Sequence, residues 1–246
     1  MNGKAFFIDT TLCTGCRGCQ IACKQWNQLP ATKTENWGSY QNPKDLSFYT
    51  YKLIRFSEHM GPDDKPVWYF FADQCRHCLA PPCQESAEAT APGGIIIDSL
   101  TGAVLYTDKL KKANPKEVRE ACPFDIPRAQ KGTGYMAKCT MCVERVHNGL
   151  LPACVKTCPT GAMNFGPREK MLEKAEKRLQ EVRRDAPKAM LADPDEVNVI
   201  YLVAYDPMLY HSDVIGAVHD TGISRQMALK RLMRPFTRAA SRLSTG

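Results

Sequence analysis

At 246 residues the chain can bury a core of its own and form one or two compact domains. Apolar residues at 43% and charged residues at 24% mark a globular composition, while twelve cysteines stand above ordinary usage without reaching the density of a disulfide scaffold. The formal charge of +7 suggests an acidic partner such as nucleic acid only if those cysteines are protonated thiols, so their role has to be settled before the charge is interpreted.

Residues 4–9 form a short apolar strand candidate, and Asp9 follows too soon after Met1 for a secretory leader, so the chain is expected to carry no export signal of its own. The run Cys13-Thr14-Gly15-Cys16-Arg17-Gly18-Cys19-Gln20-Ile21-Ala22-Cys23 comes next, with Gly15 and Gly18 read as keeping its loop free of side-chain clashes. From 24 to 66 there are no cysteines. Trp26, Asn36, Trp37, Gly38, Asn42 and Pro43, followed by a strand candidate at 51–56, describe a long ordered insertion rich in turn chemistry. A third strand candidate, 67–71, leads into Cys75, Cys78 and Cys83. Segments 94–98 and 103–106 then flank a turn as a β-hairpin, and 109–121 reads as polar and partly helical, ending at Cys122-Pro123. Cys139 and Cys142 open the last group, a short amphipathic helix is expected at 144–147, and Cys154 and Cys158-Pro159 close it.

Beyond the cysteines, 168–184 is the clearest long helix, with Met171, Leu172, Ala175, Leu179 and Val182 on one stripe. The longest apolar stretch, 197–205, still contains Asn198, so no membrane span is expected. Residues 221–246 hold six Lys or Arg and no acid, and read as a solvated helical tail or a docking segment.

The spacing of the first run, C-x2-C-x2-C-x3-C, is that of a bacterial-type ferredoxin, in which three thiols hold one [4Fe–4S] cluster and the fourth reaches to another. Applied to the whole chain, this rule groups Cys13, Cys16 and Cys19 with Cys158, and Cys139, Cys142 and Cys154 with Cys23. Cys75, Cys78 and Cys83 take Cys122 as their remote fourth ligand. The reciprocal middle set would use positions 87, 112, 115 and 118, which are Ala, Lys, Pro and Val. One complete ligand set is thus absent and three are complete, so three [4Fe–4S] clusters are expected. Zinc would pair C-x2-C motifs and give no role to Cys19 or to the two Cys-Pro steps. Disulfides would need an oxidising compartment during folding. A Rieske centre would need two histidines, and His77 has no matching partner; His59, His147, His211 and His219 are dispersed and unassigned.

Three oxidised clusters of about −2 each would offset most of the positive charge, which removes the argument for nucleic acid. No Walker loop, dinucleotide fingerprint or nucleophile–base pair stands out, so the expected chemistry is one-electron transfer without catalysis. Arg17, Lys24, Arg76, Lys138 and Lys156 flank ligands and are candidates for tuning the clusters, with solvated surface charge as the alternative.

The motifs Cys-Arg-Gly-Cys-Gln-Ile-Ala-Cys-Lys-Gln-Trp at 16–26, Gln-Cys-Arg-His-Cys at 74–78, Cys-Pro-Phe-Asp-Ile-Pro-Arg at 122–128 and Cys-Val-Lys-Thr-Cys-Pro-Thr-Gly-Ala at 154–162 resemble the iron–sulfur subunits of molybdopterin oxidoreductases, and within them the β subunit of formate dehydrogenase. The resemblance implies an α+β fold of two pseudo-symmetric ferredoxin-like modules. One comprises 1–66 and 130–166 with the insertion 24–66; the other, 67–129, has lost a cluster; 167–246 supplies a helix, a strand and a basic tail. It also implies a catalytic partner bearing a molybdenum or tungsten bis-pterin cofactor. Membrane-bound relatives carry four clusters and an anchor, so this chain is more similar to the subunits of soluble molybdenum or tungsten formate dehydrogenases. That points to the periplasm, reached by export with the catalytic subunit, or alternatively to the cytoplasm, and to a soluble electron acceptor such as a multihaem cytochrome c. A subunit of another molybdopterin or hydrogenase complex, or a free-standing polyferredoxin, is the alternative.

Overall fold

A computed structural model describes residues 3–61 and 63–216; the basic stretch 221–246, and with it the expected helical tail, lies outside the described residues. The core is set by two strands that are apolar almost throughout. β1 (Lys4–Asp9) and β10 (Val199–Val203) are buried along nearly their whole length, as strands covered on both faces must be. They pair in parallel, Phe6 opposite Val199 and Ile8 opposite Tyr201. β8 (Met163–Pro167) adds to the other edge of β1 antiparallel, and β9 (Met190–Ala192) to the other edge of β10, giving the order β8-β1-β10-β9.

The period-two alternation of strands sorts these side chains between the faces. Phe7, Ile200 and Leu202 pack with Ala175 and Val182 of α6 (Arg168–Val182), the long helix expected from its apolar stripe. Phe6, Ile8, Val199, Tyr201 and Val203 face the opposite core together with Ile54, Phe71, Cys19 and Cys154. The sheet thus has a helix-covered face and a cysteine-bearing face.

The remaining strands form ribbons of two. β2 (Leu53–Met60) and β3 (Pro66–Asp73) pair over eight positions, from Leu53–Asp73 to Met60–Pro66. Both outrun the expected segments because Ser57, Glu58 and His59 carry polar side chains while their backbones continue the ladder. β4 (Ile95–Ile97) and β5 (Val104–Tyr106) make the expected hairpin, whereas β6 (Arg128–Ala129) and β7 (Met136–Ala137) pair through only two positions each. Short helices α1 (Gly18–Trp26), α2 (Pro82–Glu88), α3 (Pro115–Glu120), α4 (Val143–His147) and α5 (Ala153–Lys156) carry or follow the cysteines. The architecture is a mixed α/β fold of small sheets and short helices, and among the described residues no helix is long and apolar enough to cross a membrane.

Phe6 is fully buried on the cysteine-bearing face. Phe6→Ala should remove about 3 kcal/mol or more and lower the thermal midpoint by about 10 °C, measured by circular dichroism on the metal-loaded chain.

Candidate functional site

β1 delivers the first ligand loop. Its last residue, Asp9, is buried; its carboxylate accepts from Thr11 N at 2.9 Å and Thr11 Oγ1 at 2.6 Å, capping the single 3-10 turn that ends at Cys13. Arg178 of α6 donates to the same carboxylate at 2.8 Å, so the charge that fixes the turn is itself neutralised. β8 starts just beyond Cys158 and pairs with β1, which draws the last cysteine back to the first run.

The three loops that open with C-x2-C share one local device. The residue two positions after the leading cysteine is left-handed: Gly15 at φ +65°, His77 at +48° and Met141 at +62°. The turn aims the backbone N–H of His77 at Cys75 Sγ and that of Met141 at Cys139 Sγ, each at 3.4 Å, and Gly15 N–H bonds Cys13 likewise. Such a conformation costs roughly 1–2 kcal/mol for a residue with a Cβ, which His77 and Met141 bear and Gly15 does not. At Gly15 a Cβ would also lie 2.8 Å from the Phe70 ring, so glycine is required there; at Gly18 its closest contact would be an ordinary 3.6 Å, and the steric need expected for that glycine is absent.

The structure brings the twelve thiols together four by four around three hollows. Cys13, Cys16, Cys19 and Cys158 line the first with Ile8, Ile54, Ala72 and Met163. Cys23, Cys139, Cys142 and Cys154 line the second with Phe6, Lys52, Gln74 and Met141. Cys75, Cys78, Cys83 and Cys122 line the third with Arg76, Tyr106, Phe124 and Lys138. α1 connects the first two hollows, since Cys19 and Cys23 stand one helical turn apart on one face.

All twelve cysteines are free, and Cys16 alone is exposed. Burial pushes the thiols of Cys13 and Cys83 up to about 11 and those of Cys122 and Cys154 to about 12. Cys158 is the exception: its partial burial is outweighed by N–H groups of Met163, Thr160 and Ala162 and by the Thr160 hydroxyl, which hold its thiol below the usual range. A buried quartet of thiolates therefore needs positive charge at its centre. A single zinc ion would draw its sulfurs to about 2.3 Å, yet among the described residues no three Cys, His, Asp or Glu side chains converge closely enough to hold one ion. Four soft thiolates arranged around a hollow, too far apart to share one ion, fit a polynuclear iron–sulfur group.

Of the expected tuning residues, Arg76 and Lys138 are buried against the third hollow. Lys24 is half-buried and donates to Tyr49 O at 2.8 Å, Arg17 lies over the Phe56 ring at 5.3 Å, and Lys156 is exposed. His77 is wholly buried; its Nδ1 accepts from Val104 N at 3.0 Å, and burial together with the Lys138 charge pushes its pKa well below the usual range, so the ring is neutral. Lys52, Gln74 and Asp73 were not legible as site residues. The available hint for Lys52 was its alternation with Ile54 in the strand candidate, which places both on one face.

These loops and hollows define an iron–sulfur protein of ferredoxin type. Residues 66–168 match the family described as the 4Fe-4S dicluster domain. Over 214 residues the chain is 53% identical to formate dehydrogenase subunit beta of Megalodesulfovibrio gigas, covering 87% of this chain and 99% of that one. It is 51% identical to formate dehydrogenase 2 subunit beta (cytochrome c-553) of Nitratidesulfovibrio vulgaris, over 85% and 96% of the two chains. With the formate dehydrogenase-O iron-sulfur subunit of Escherichia coli it shares 41% identity over 84% of this chain and 69% of the other. The chain belongs to the family of formate dehydrogenase β, or iron–sulfur, subunits, the non-catalytic electron-transfer members of an oxidoreductase complex.

Asp73 holds a buried and a half-buried cation at once. It accepts from Arg55 Nε and Nη2 at 3.0 and 2.8 Å and from Arg76 Nη1 at 3.1 Å. Asp73→Asn should cost about 3–5 kcal/mol, because it leaves the Arg76 guanidinium uncompensated; a fall in thermal midpoint with Asp45→Asn as the milder comparison checks this.

Proposed function

We propose that this chain is the electron-relay subunit of a soluble molybdenum or tungsten formate dehydrogenase and holds three [4Fe–4S] clusters. The observation that carries the reading is the partition of the thiols: each hollow has four, and none is left over. Cys13, Cys16, Cys19 and Cys158 would hold the first cluster, Cys23, Cys139, Cys142 and Cys154 the second, and Cys75, Cys78, Cys83 and Cys122 the third. When bound, each cluster supplies one reversible one-electron step.

The chain's own residues bind, bury and space these groups. Ile8, Ile54, Ala72 and Met163 exclude water from the first hollow, and Pro81, Pro82, Pro123 and Pro127 wall the third. The exposed Cys16, with Leu12, Ile21 and Trp26 exposed on the same stretch, supports docking of the pterin-bearing catalytic subunit beside the first hollow. The cytochrome c-553 named with the N. vulgaris relative supports a haem protein, such as a multihaem cytochrome c, as the external carrier. Export with the catalytic subunit to the periplasm completes the proposal and follows from the resemblance to soluble formate dehydrogenases.

The proposal includes the two modules, 1–66 with 130–166 and 67–129. It is supported by the β1–β8 pairing that joins the first and last cysteine groups, and by a separate apolar cluster of Cys83, Ala87, Ile95, Val104, Leu110 and Val118 in the middle segment.

The purified chain should contain about twelve iron atoms, and it should co-purify with a pterin-bearing subunit; stoichiometric zinc would overturn the reading. The wiring has its own test. Cys122→Ala should abolish one electron paramagnetic resonance signal and Cys158→Ala a different one, each leaving two clusters. Loss of the same signal in both variants would overturn the grouping.

A further inference from the structure

Cations held inside this fold, buried or half-buried, are of two kinds. Arg55 and Arg76 share the carboxylate of Asp73, and Arg128 pairs with Asp45 and Asp125. Lys52 and Lys138 have no such partner: they are 2% and 5% exposed, yet among the described residues neither ammonium forms an ion pair with a carboxylate. Lys52 Nζ donates to Gln74 Oε1, and Lys138 Nζ donates to the carbonyls of Val104 and Cys139 and lies 4.6 Å from the centroid of the Tyr106 ring. Neutral acceptors and a ring face solvate an ammonium only in part. Burying a cation without a counter-charge is among the most unfavourable acts in a fold, so two such lysines call for an anion that the protein's own carboxylates do not provide.

Their positions say where that anion belongs. Lys52 lines the second hollow, and the thiols that act on its charge are Cys19 of the first quartet with Cys154 and Cys139 of the second. Lys138 lines the third hollow and acts on Cys83 there. The second and third quartets therefore each face a buried, acid-free lysine. We propose that Lys52 and Lys138 are built-in counter-charges for the bound clusters: Lys52 raises the reduction potential of the cluster held by the second quartet, and Lys138 that of the cluster held by the third. This rests on the three-cluster reading above. Reduction adds one electron and one unit of negative charge to a cluster, with no bond made or broken, so an adjacent fixed positive charge stabilises the reduced form over the oxidised one.

The test is a redox titration of the cluster-loaded chain followed by electron paramagnetic resonance, with signals assigned from Cys122→Ala. Fewer than three clusters in the unsubstituted chain would sink the functional reading, and the lysine proposal with it. With three present, Lys52→Met should lower the one-electron reduction constant of the second cluster by about tenfold, equivalent to about 59 mV, and leave the third unchanged. Lys138→Met should do the converse, shifting the third cluster and leaving the first in place. Lys52→Arg and Lys138→Arg, which keep the charge, should titrate close to the unsubstituted chain. If a methionine variant fails to retain its clusters, retention in the matching arginine variant assigns the failure to lost charge and supports the proposal. Unshifted potentials in a fully loaded methionine variant, an equal shift of all three clusters, or cluster loss shared by the methionine and arginine variants would overturn it.

Discussion

The constraint on which this structure depends is that four sulfur ligands must be brought to one buried place without any surplus negative charge. Thiols confined to apolar surroundings resist ionisation, and several facing one another resist it further. In this chain that resistance is overcome locally by left-handed turns that aim N–H groups at sulfur, at Gly15, His77 and Met141. At longer range it is overcome by cations held inside. A metal group bound in a hollow would supply what remains, which would couple its binding to folding. The sheet is subordinate to this requirement: β1 and β8 pair so as to set Cys13 beside Cys158, and β10 lies where Tyr201 can donate to Ala72 O at 2.6 Å and its ring can pack on Phe71.

Charge inside the fold is arranged in two registers. Around Asp73, two guanidinium groups converge on one carboxylate, and Arg76 is further enclosed by the rings of Phe71, Phe124 and Tyr201 at about 5 Å. That assembly is held by the protein's own carboxylate and ties β2, β3 and the third ligand loop together. Lys52 and Lys138 are different, since their neutral partners leave the charge only partly solvated. The first arrangement belongs to the architecture, and the second anticipates an anionic guest.

What was legible in the sequence follows the range of the interactions involved. Ligand loops are local, so spacing alone announced all twelve cysteines, and the C-x2-C-x2-C-x3-C run carried its own instruction to look for distant partners. α6 was legible because its apolar stripe repeats over fifteen residues. β6 and β7, two residues each, are too short for any periodicity to register, and β9 has only three residues. Lys52 escaped notice for another reason. A lysine between Tyr51 and Leu53 reads as a snorkelling strand residue, and it becomes a buried site residue only when Gln74 and two cysteine groups from other parts of the chain close over it.

No thiol stands where a fourth ligand set would fall, and part of that region is an ordinary core. Two of its four positions, Ala87 and Val118, are each 1% exposed and join Ala91, Ile95, Leu110 and Ala113 in one apolar cluster, while Lys112 faces solvent and Pro115 opens α3. Side chains that suit a cluster's surroundings once its thiols and charge are gone are those of an ordinary core, small and aliphatic. Such a replacement is favourable because it removes buried thiols, inorganic charge and the need for counter-ions together, and fills the space with dispersion contacts. Partial loss has no comparable resting point: three thiols around an empty hollow keep the desolvation and forfeit the metal. An apolar core at two of these positions, with no stray thiol at any of the four, is therefore the arrangement that the energetics of buried charge favour.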